Sequence, residues 1–421
     1  MLFDMRDNDA SPQTAPGVKP WKSVRTDPEC GGHWVVAGDV DGDGEVEIVS
    51  AQNVNESDVH YTSAVVAQKL DGTVLWRWGE PNFGRRIWHH DVACQIYDWD
   101  GDGNREVVLC TQGALVELDG ATGKERRRIP IAADATDCLV FCDLSGKGCP
   151  TDVLVKDRYW HIYAYDREGK LLWEVEEPGG YKTAHQPLPV DIDGDGRDEI
   201  MAGYAMLDPD GSVRWVYESD KIDIGRGHLD CCRVYRRGAT PADFRLALTC
   251  CGANAISMLD GEGGVVWEVT GEHFESIDVG RVLPGLPEPQ IVVDIDHQSG
   301  IGPVWVFSGE GEQVGLLMTN YARHHCLLDW NGNGLDEIFV GDSCGVYDQR
   351  GERILTLELP TENFPQEKPH ERALVPADMT GDGRPDLIVT SPNAVHIFRN
   401  GEGIEDQGFS ELGSERNFTL Y

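Results

Sequence analysis

The stretch DVDGDGEVEIV, residues 39–49, sets three aspartates at alternate positions, adds a fourth acid at the ninth, and runs straight into a β-branched strand. Glycine lets the chain reverse tightly, so such a loop can turn its carboxylates onto one hard cation. The motif recurs as DWDGDGNREVV from Asp98, DIDGDGRDEIM from Asp191, DWNGNGLDEIF from Asp329 and DMTGDGRPDLI from Asp378. An EF-hand requires an acid at loop position 12, where Ser50, Leu109, Ala202, Val340 and Val389 stand instead. The expected ligand sets are Asp39, Asp41, Asp43 and Glu47; Asp98, Asp100, Asp102 and Glu106; Asp191, Asp193, Asp195 and Glu199. Two weaker sets are Asp329, Asn331, Asn333 and Glu337, and Asp378, Thr380, Asp382 and Asp386. Structural Ca2+ is the expected occupant, and acidic hairpin turns without metal are the alternative.

A second phrase follows most of these loops: LDGTVLWRW (70–78), REGKLLWEV (167–175), PDGSVRWVY (209–217) and GEGGVVWEV (261–269), with weaker copies at 121–129 and 349–357. Each is a glycine turn leading into an alternating strand. One unit therefore reads as four strands in about forty to fifty residues, which is the sequence signature of a propeller blade. The expected fold is all-β: an eight-bladed β-propeller carrying DxDGDG loops, with seven blades as the nearby count. Blade starts fall near residues 33, 90, 137, 185, 228, 275, 323 and 371. Residues 1–28 read as an N-terminal extension that can supply a closing strand, and 29–421 as one propeller domain. Either WKSVR (21–25) or NFTLY (417–421) can complete the last blade.

The chain of 421 residues carries a net charge of −37. Such a surface repels nucleic acid and anionic membranes, and an anionic ligand can bind only where basic residues collect. No apolar run is long enough for a membrane helix, and the N-terminal residues lack a signal-peptide core. The twelve cysteines lack zinc-ribbon spacing. Free thiols are the favoured reading, with a disulfide between Cys231–Cys232 and Cys250–Cys251 as the alternative. These features favour a cytoplasmic monomer, or a secreted one if a leader has been removed.

The acidic loops resemble the FG-GAP-type repeats of integrin α-subunits. The eight units, the DG…LW hairpins and the NFTLY ending resemble bacterial rhamnogalacturonan lyases and related propeller polysaccharide lyases, over nearly the whole chain. That resemblance implies a lyase acting on a rhamnose–uronate polysaccharide or oligosaccharide. The integrin likeness implies instead a non-catalytic carbohydrate- or protein-binding module.

Blade three keeps only CDLSGKGCPTDV, and blades five and six have lost the acidic loop. In the other five the innermost strand ends at it, so the starts of the inner strands lie on the opposite face, about 20 Å away at the rise of an extended chain. Eight of the thirteen histidines fall at those starts: His33, His89, His90, His185, His228, His324, His325 and His370. A ring of histidines and arginines suits β-elimination, in which a uronate carboxylate is neutralised, a base takes the C5 proton and an acid protonates the leaving oxygen. The catalytic candidates are His90, His185, His228, Tyr181, Tyr321, Arg323 and His325, and the substrate-binding candidates are His33, Trp34, Trp88, Arg226, Arg372 and Trp160. An additional cation in the funnel is the second chemistry, with His324, His325 and Cys326 and a histidine of another blade as ligands for zinc or another transition metal. A glycosidase would need two acting carboxylates, for which Asp91, Asp137 and Asp230 are on offer.

Overall fold

In the computed structural model, the residues described are 15–56, 59–82, 92–295, 303–319, 324–360, 372–391, 393–400 and 416–420, with the backbone of 3–5 and 302. They form eight separate sheets, each with four antiparallel strands that run in sequence order from the axis outward in seven blades, while the eighth takes its outermost strand from the N-terminal part of the chain. The innermost strands are Trp34–Gly38, Cys94–Tyr97, Cys138–Cys142, Thr183–Val190, Leu229–Arg236, Phe274–Gly280, His325–Leu328 and Leu374–Ala377. The protein is thus an eight-bladed β-propeller.

Second strands such as Glu106–Thr111, Asp152–Lys156 and Gln290–Ile295 are buried on both faces between neighbouring blades. Their continuous apolar runs follow from that position. Outer strands such as Leu171–Glu176 alternate in burial because one face meets water. The apolar core consequently lies between blades, as in the cluster of Val36, Val49, Cys94, Val107, Val375 and Ile388 that joins blades 8, 1 and 2.

The repeated glycine turn and tryptophan form one joint between blades. Trp76 Nε1 donates to Gly120 O at 2.6 Å, Trp173 to Pro209 O at 3.0 Å, Trp215 to Gly261 O at 3.0 Å and Trp267 to Gly309 O at 2.9 Å. Each indole of one blade lies on the glycine turn of the next. A Cβ on Gly123 would approach the Trp76 ring to 2.4 Å, and φ there is +65°, so both space and backbone call for glycine. In the weaker copy at 121–129, Ile129 takes the indole's place against Gly169.

The segment WKSVR closes the ring: Lys22–Arg25 pairs antiparallel with Ala394–Phe398 as the outermost strand of blade 8. Upstream, Gly17–Val18 and Phe3–Met5 add short parallel strands to the outer edges of blades 7 and 6. The NFTLY segment instead enters the central channel. Asn417 exchanges hydrogen bonds with Phe141 N and O at 2.6 and 2.7 Å. Gln95 brackets Phe418 in the same way, and the Phe418 ring lies 5.5 Å from Trp34. Gln186 and Ser276 donate to the carbonyls of Asn417 and Leu420. One strand of chain therefore joins the inner strands of blades 2, 3, 4 and 6 and floors the channel.

The ring closure carries a pH-sensitive group. His396 is fully buried, faces Ser23 Oγ of the closing strand at 2.9 Å, and has Ser391 Oγ at 3.3 Å on its other nitrogen. Burial, with the nearby Arg372 charge second, pulls its pKa down to about 4. A base held neutral in the fold but titrating near 6.5 when unfolded stabilises the fold fully above that value. The contribution, about 3 kcal/mol for a shift of this size, is lost as pH falls from about 6.5 to about 4. Melting temperature should drop across that window, and His396→Gln should flatten the drop. An unaltered pH profile in the variant would place the acid sensitivity elsewhere.

Candidate functional site

The acidic loops turn their carboxylates inward as their spacing requires. In the first, Asp39 accepts from the amides of Gly42 and Gly44, Asp41 from Asp43, and Glu47 from Val40. The same pattern recurs at Asp98 and Asp191. In these three loops, three acidic oxygens come within 4.8 Å of one another. Burial pushes the ninth-position acids Glu106, Glu199 and Glu337 up to about 7 and Asp386 up to about 6. A buried acid beside other acids is the donor set that a divalent cation relieves.

A basic side chain leans on each of the three acid-rich loops. Lys69 Nζ is 2.6 Å from Asp43, 3.0 Å from Asp41 and 3.4 Å from Glu47. Arg126 lies 2.7 Å from Glu106 and 3.2 Å from Asp100, and Arg214 lies 2.6 Å from Asp193 and 3.1 Å from Glu199. In the two acid-poor loops, amides serve instead. Asn331 and Gln349 donate to Glu337, and the backbone of Asn400 donates to Asp386.

On the opposite face, blades 4 and 5 bring two expected histidines together. His185 and His228 face each other through Nε2 at 2.8 Å, and both approach Asp230 Oδ1, at 3.5 and 3.0 Å. His228 and Asp230 are alternate residues entering one strand and so point the same way. Two neutral imidazoles meeting through Nε2 can place only one proton between them. A third acceptor converging on that point is satisfied by an added proton or a cation. Tyr159 covers the pair, its ring 4.8 Å from His228 and 5.9 Å from His185. Lys182 Nζ lies 4.8 Å above Tyr159 and 5.3 Å from Trp160, which is 43% exposed.

Beside this cluster, the long first-blade hairpin of Glu47–Glu56 and Val59–Gln68 reaches over to blade 3. Its His60 lies 3.4 Å from Asp137, which also faces Arg158 at 3.3 Å and the fully buried Lys156 at 3.5 Å.

The expected residues divide accordingly. His185 and His228 meet. Arg226 is exposed in the turn just before His228, and Trp160 is exposed as a platform. Tyr181 is half-buried, its ring edge-on to Tyr204. His33 is buried. Trp34 is no sugar platform: it is 2% exposed, donates to Cys94 O and packs on Phe418. Arg372 is buried and spends Nη1 on Asp342 O and Cys344 Sγ, so it does not neutralise a ligand. His325 does not reach a substrate either: its side chain is fully buried, 3.6 Å from Asp278 and 3.7 Å from Asp294. Cys326 sits in the apolar cluster of blades 7 and 8, where burial raises its thiol, so the His324–His325–Cys326 zinc set is not formed. All twelve cysteines are free thiols, including the pairs at 231–232 and 250–251. His90, Trp88, Tyr321 and Arg323 lie outside the described residues, as do Asp91, His89 and His370.

His60, Lys156, Arg158, Tyr159, Lys182, His273 and Glu275 were not singled out from the sequence, and Cys251 was read only as a disulfide alternative. Most lie in turns between second and third strands or in connectors between blades, which the up-and-down path returns to the same face. The rule that located the inner-strand starts would have located them too.

The fold and the site define a class: an eight-bladed β-propeller with an imidazole–carboxylate cluster at its mouth. Within that class the chain is similar to the family 11 rhamnogalacturonan lyases. Residues 32–126 match the model of the rhamnogalacturonan lyase family 11 C-terminal domain. The chain is 26% identical to the rhamnogalacturonan exolyase YesX of Bacillus subtilis, over 83% of this chain and 68% of that enzyme. It is likewise 26% identical to the rhamnogalacturonan endolyase YesW of the same organism, over 78% of this chain and 62% of that enzyme. The chain thus spans about two thirds of the length of these relatives. The Bacillus licheniformis rhamnogalacturonan lyase PL11 superposes with a TM-score of 0.65 at 19% identity, covering 94% of this chain and 77% of that one.

Proposed function

We propose that the protein cleaves a rhamnose–uronate polysaccharide or oligosaccharide by β-elimination at the mouth lined by blades 3, 4 and 5. The observation that carries this reading is the convergence of His185, His228 and Asp230, beneath Tyr159 and Lys182. The three groups would hold a divalent cation, which when bound supplies charge to neutralise the uronate carboxylate and so acidify C5–H. Lys182 and Arg226 add positive charge around the carboxylate, and Trp160 offers a face for a sugar ring. Tyr159, as its phenolate, takes the C5 proton. The electron pair forms the C4–C5 double bond, the C4–O bond breaks, and the phenol of Tyr159 returns the proton to the departing oxygen.

Incubation with rhamnogalacturonan, ulvan or gums ending in rhamnosyl-glucuronate should give a 4,5-unsaturated uronate, read by its near-ultraviolet absorbance. Reducing ends without absorbance would mean hydrolysis. Binding without product would mean a recognition module of the kind the integrin likeness suggests.

We also propose that the loops of blades 1, 2 and 4 bind structural calcium in competition with Lys69, Arg126 and Arg214. Each saturated site would add about 2.7 kcal/mol at a hundredfold excess over its dissociation constant, so chelation should lower the melting temperature. Lys69→Met should tighten calcium binding in its loop, because it removes the resident positive charge. Titration calorimetry on the chelator-treated protein checks both, and unchanged stability with no heat of binding would dismiss calcium.

A further inference from the structure

The inner-strand starts of blades 5 and 6 present two alternate pairs to each other, His228 and Asp230 on one, His273 and Glu275 on the other. Asp230 divides its carboxylate: Oδ1 faces the His185–His228 pair, while Oδ2 lies 4.0 Å from His273 Nε2. The same His273 nitrogen is 3.4 Å from Glu275 Oε1. Cys251, in the turn after Arg245–Cys250, completes the group, and one ligand atom each from Asp230, Cys251 and His273 lie within 4.8 Å of one another. Cys251 and His273 are both half-buried, within reach of a dissolved ion.

We infer that Cys251, His273, Asp230 and Glu275 form a second metal position, sharing Asp230 with the first and selecting a zinc-class transition ion. Ligand type argues for this choice. Calcium and magnesium prefer all-oxygen cages, whereas one thiolate, one imidazole and carboxylates suit Zn2+ in tetrahedral coordination. Contraction of the donors onto one ion requires about 0.7 Å of movement between His273 and Asp230, since donors on one tetrahedral zinc stand roughly 3.3 Å apart. Binding exchanges the Cys251 thiol proton for the metal and releases that proton to solvent. The position rests on the cation reading of the neighbouring cluster only through Asp230. It does not depend on whether the protein is a lyase.

Cobalt(II) is the probe, because a thiolate ligand gives it a charge-transfer band in the near ultraviolet. The whole chain, stripped with chelator and reloaded with cobalt in excess calcium, should show that band and lose it to one equivalent of zinc. Cys251→Ser should abolish the band and weaken zinc at least tenfold, with calcium content and circular dichroism unchanged. His185→Gln, which disables only the first cluster, should keep the band. Zinc should also shield Cys251 of the unmutated chain from alkylation, mapped by peptide mass, which covers a serine variant that fails to fold. No band, a band that survives Cys251→Ser, or unshielded alkylation would each overturn the second position.

Discussion

Alanine at His228 is expected to lower turnover on a rhamnose–uronate substrate by about 10²–10³-fold, the usual loss when one element of preorganised electrostatic stabilisation is removed. His185→Ala should do the same, and the double variant should cost little more than either alone. The reason is geometric. The two Nε2 atoms are 2.8 Å apart and share one carboxylate oxygen, so they act on one point and not on two. Tyr159→Phe should reduce kcat with a smaller change in KM, since the hydroxyl is assigned to proton transfer while the ring keeps its place over His228. A structural role for the histidines would instead lower stability and activity together. Folded His185→Ala and His228→Ala proteins that retain full turnover and full metal content would remove the cluster from the mechanism. The search would then move to Tyr181 and Arg226.

How far the sequence carried depends on which periodicity is consulted. The acidic loops repeat with fixed internal spacing, and the inner strands of five blades end at one, which sets the period for the three that lack it. Blade number could therefore be read, and six of the eight starts fall within two residues of the observed strands, the other two, in blades 2 and 8, within four. His185 and His228 were singled out because each stands within two residues of such a start. Trp34 and Arg372 were misread by the same logic. Both stand at starts, but the channel there is filled by Asn417–Leu420 and by the blade 7 turn at Asp342–Cys344. No local pattern announces that a distant segment will occupy the axis. Tyr159, Lys156 and Cys251 were missed for a different reason. Tyr159 and Cys251 lie on the second hairpin turn of their blades and Lys156 ends the strand before it; all three return to the face of the inner-strand starts but stand outside those starts. His325 shows the limit of a facing argument: alternation set its direction, and the acids that bury it, Asp278 and Asp294, come from the neighbouring blade.

Asp137 is where the hydrolase alternative and the electrostatic layout part company. A carboxylate that protonates a leaving group must be free to exchange its proton with substrate. Asp137 is 1% exposed and is met by Lys156, Arg158 and His60. Lys156 itself is fully buried, and its ammonium also donates to the Arg158 carbonyl at 2.8 Å. Removing Asp137 strands that ammonium in a dry site, so Asp137→Ala should cost about 3–5 kcal/mol, the range for breaking a buried ion pair by deleting one partner. Replacing both partners with apolar residues of similar size should restore most of the loss, because the desolvation cost of both ions disappears with them. Asp137→Leu with Lys156→Met is the variant to build; Arg158, 15% exposed, can turn its charge to water. Calorimetric melting of the parent, single and double variants separates the outcomes. A single variant within about 0.5 kcal/mol of the parent, the ordinary scatter for surface changes, would mean that the pair is not a buried keystone. It would also return Asp137 to the list of groups able to act on a glycosidic bond.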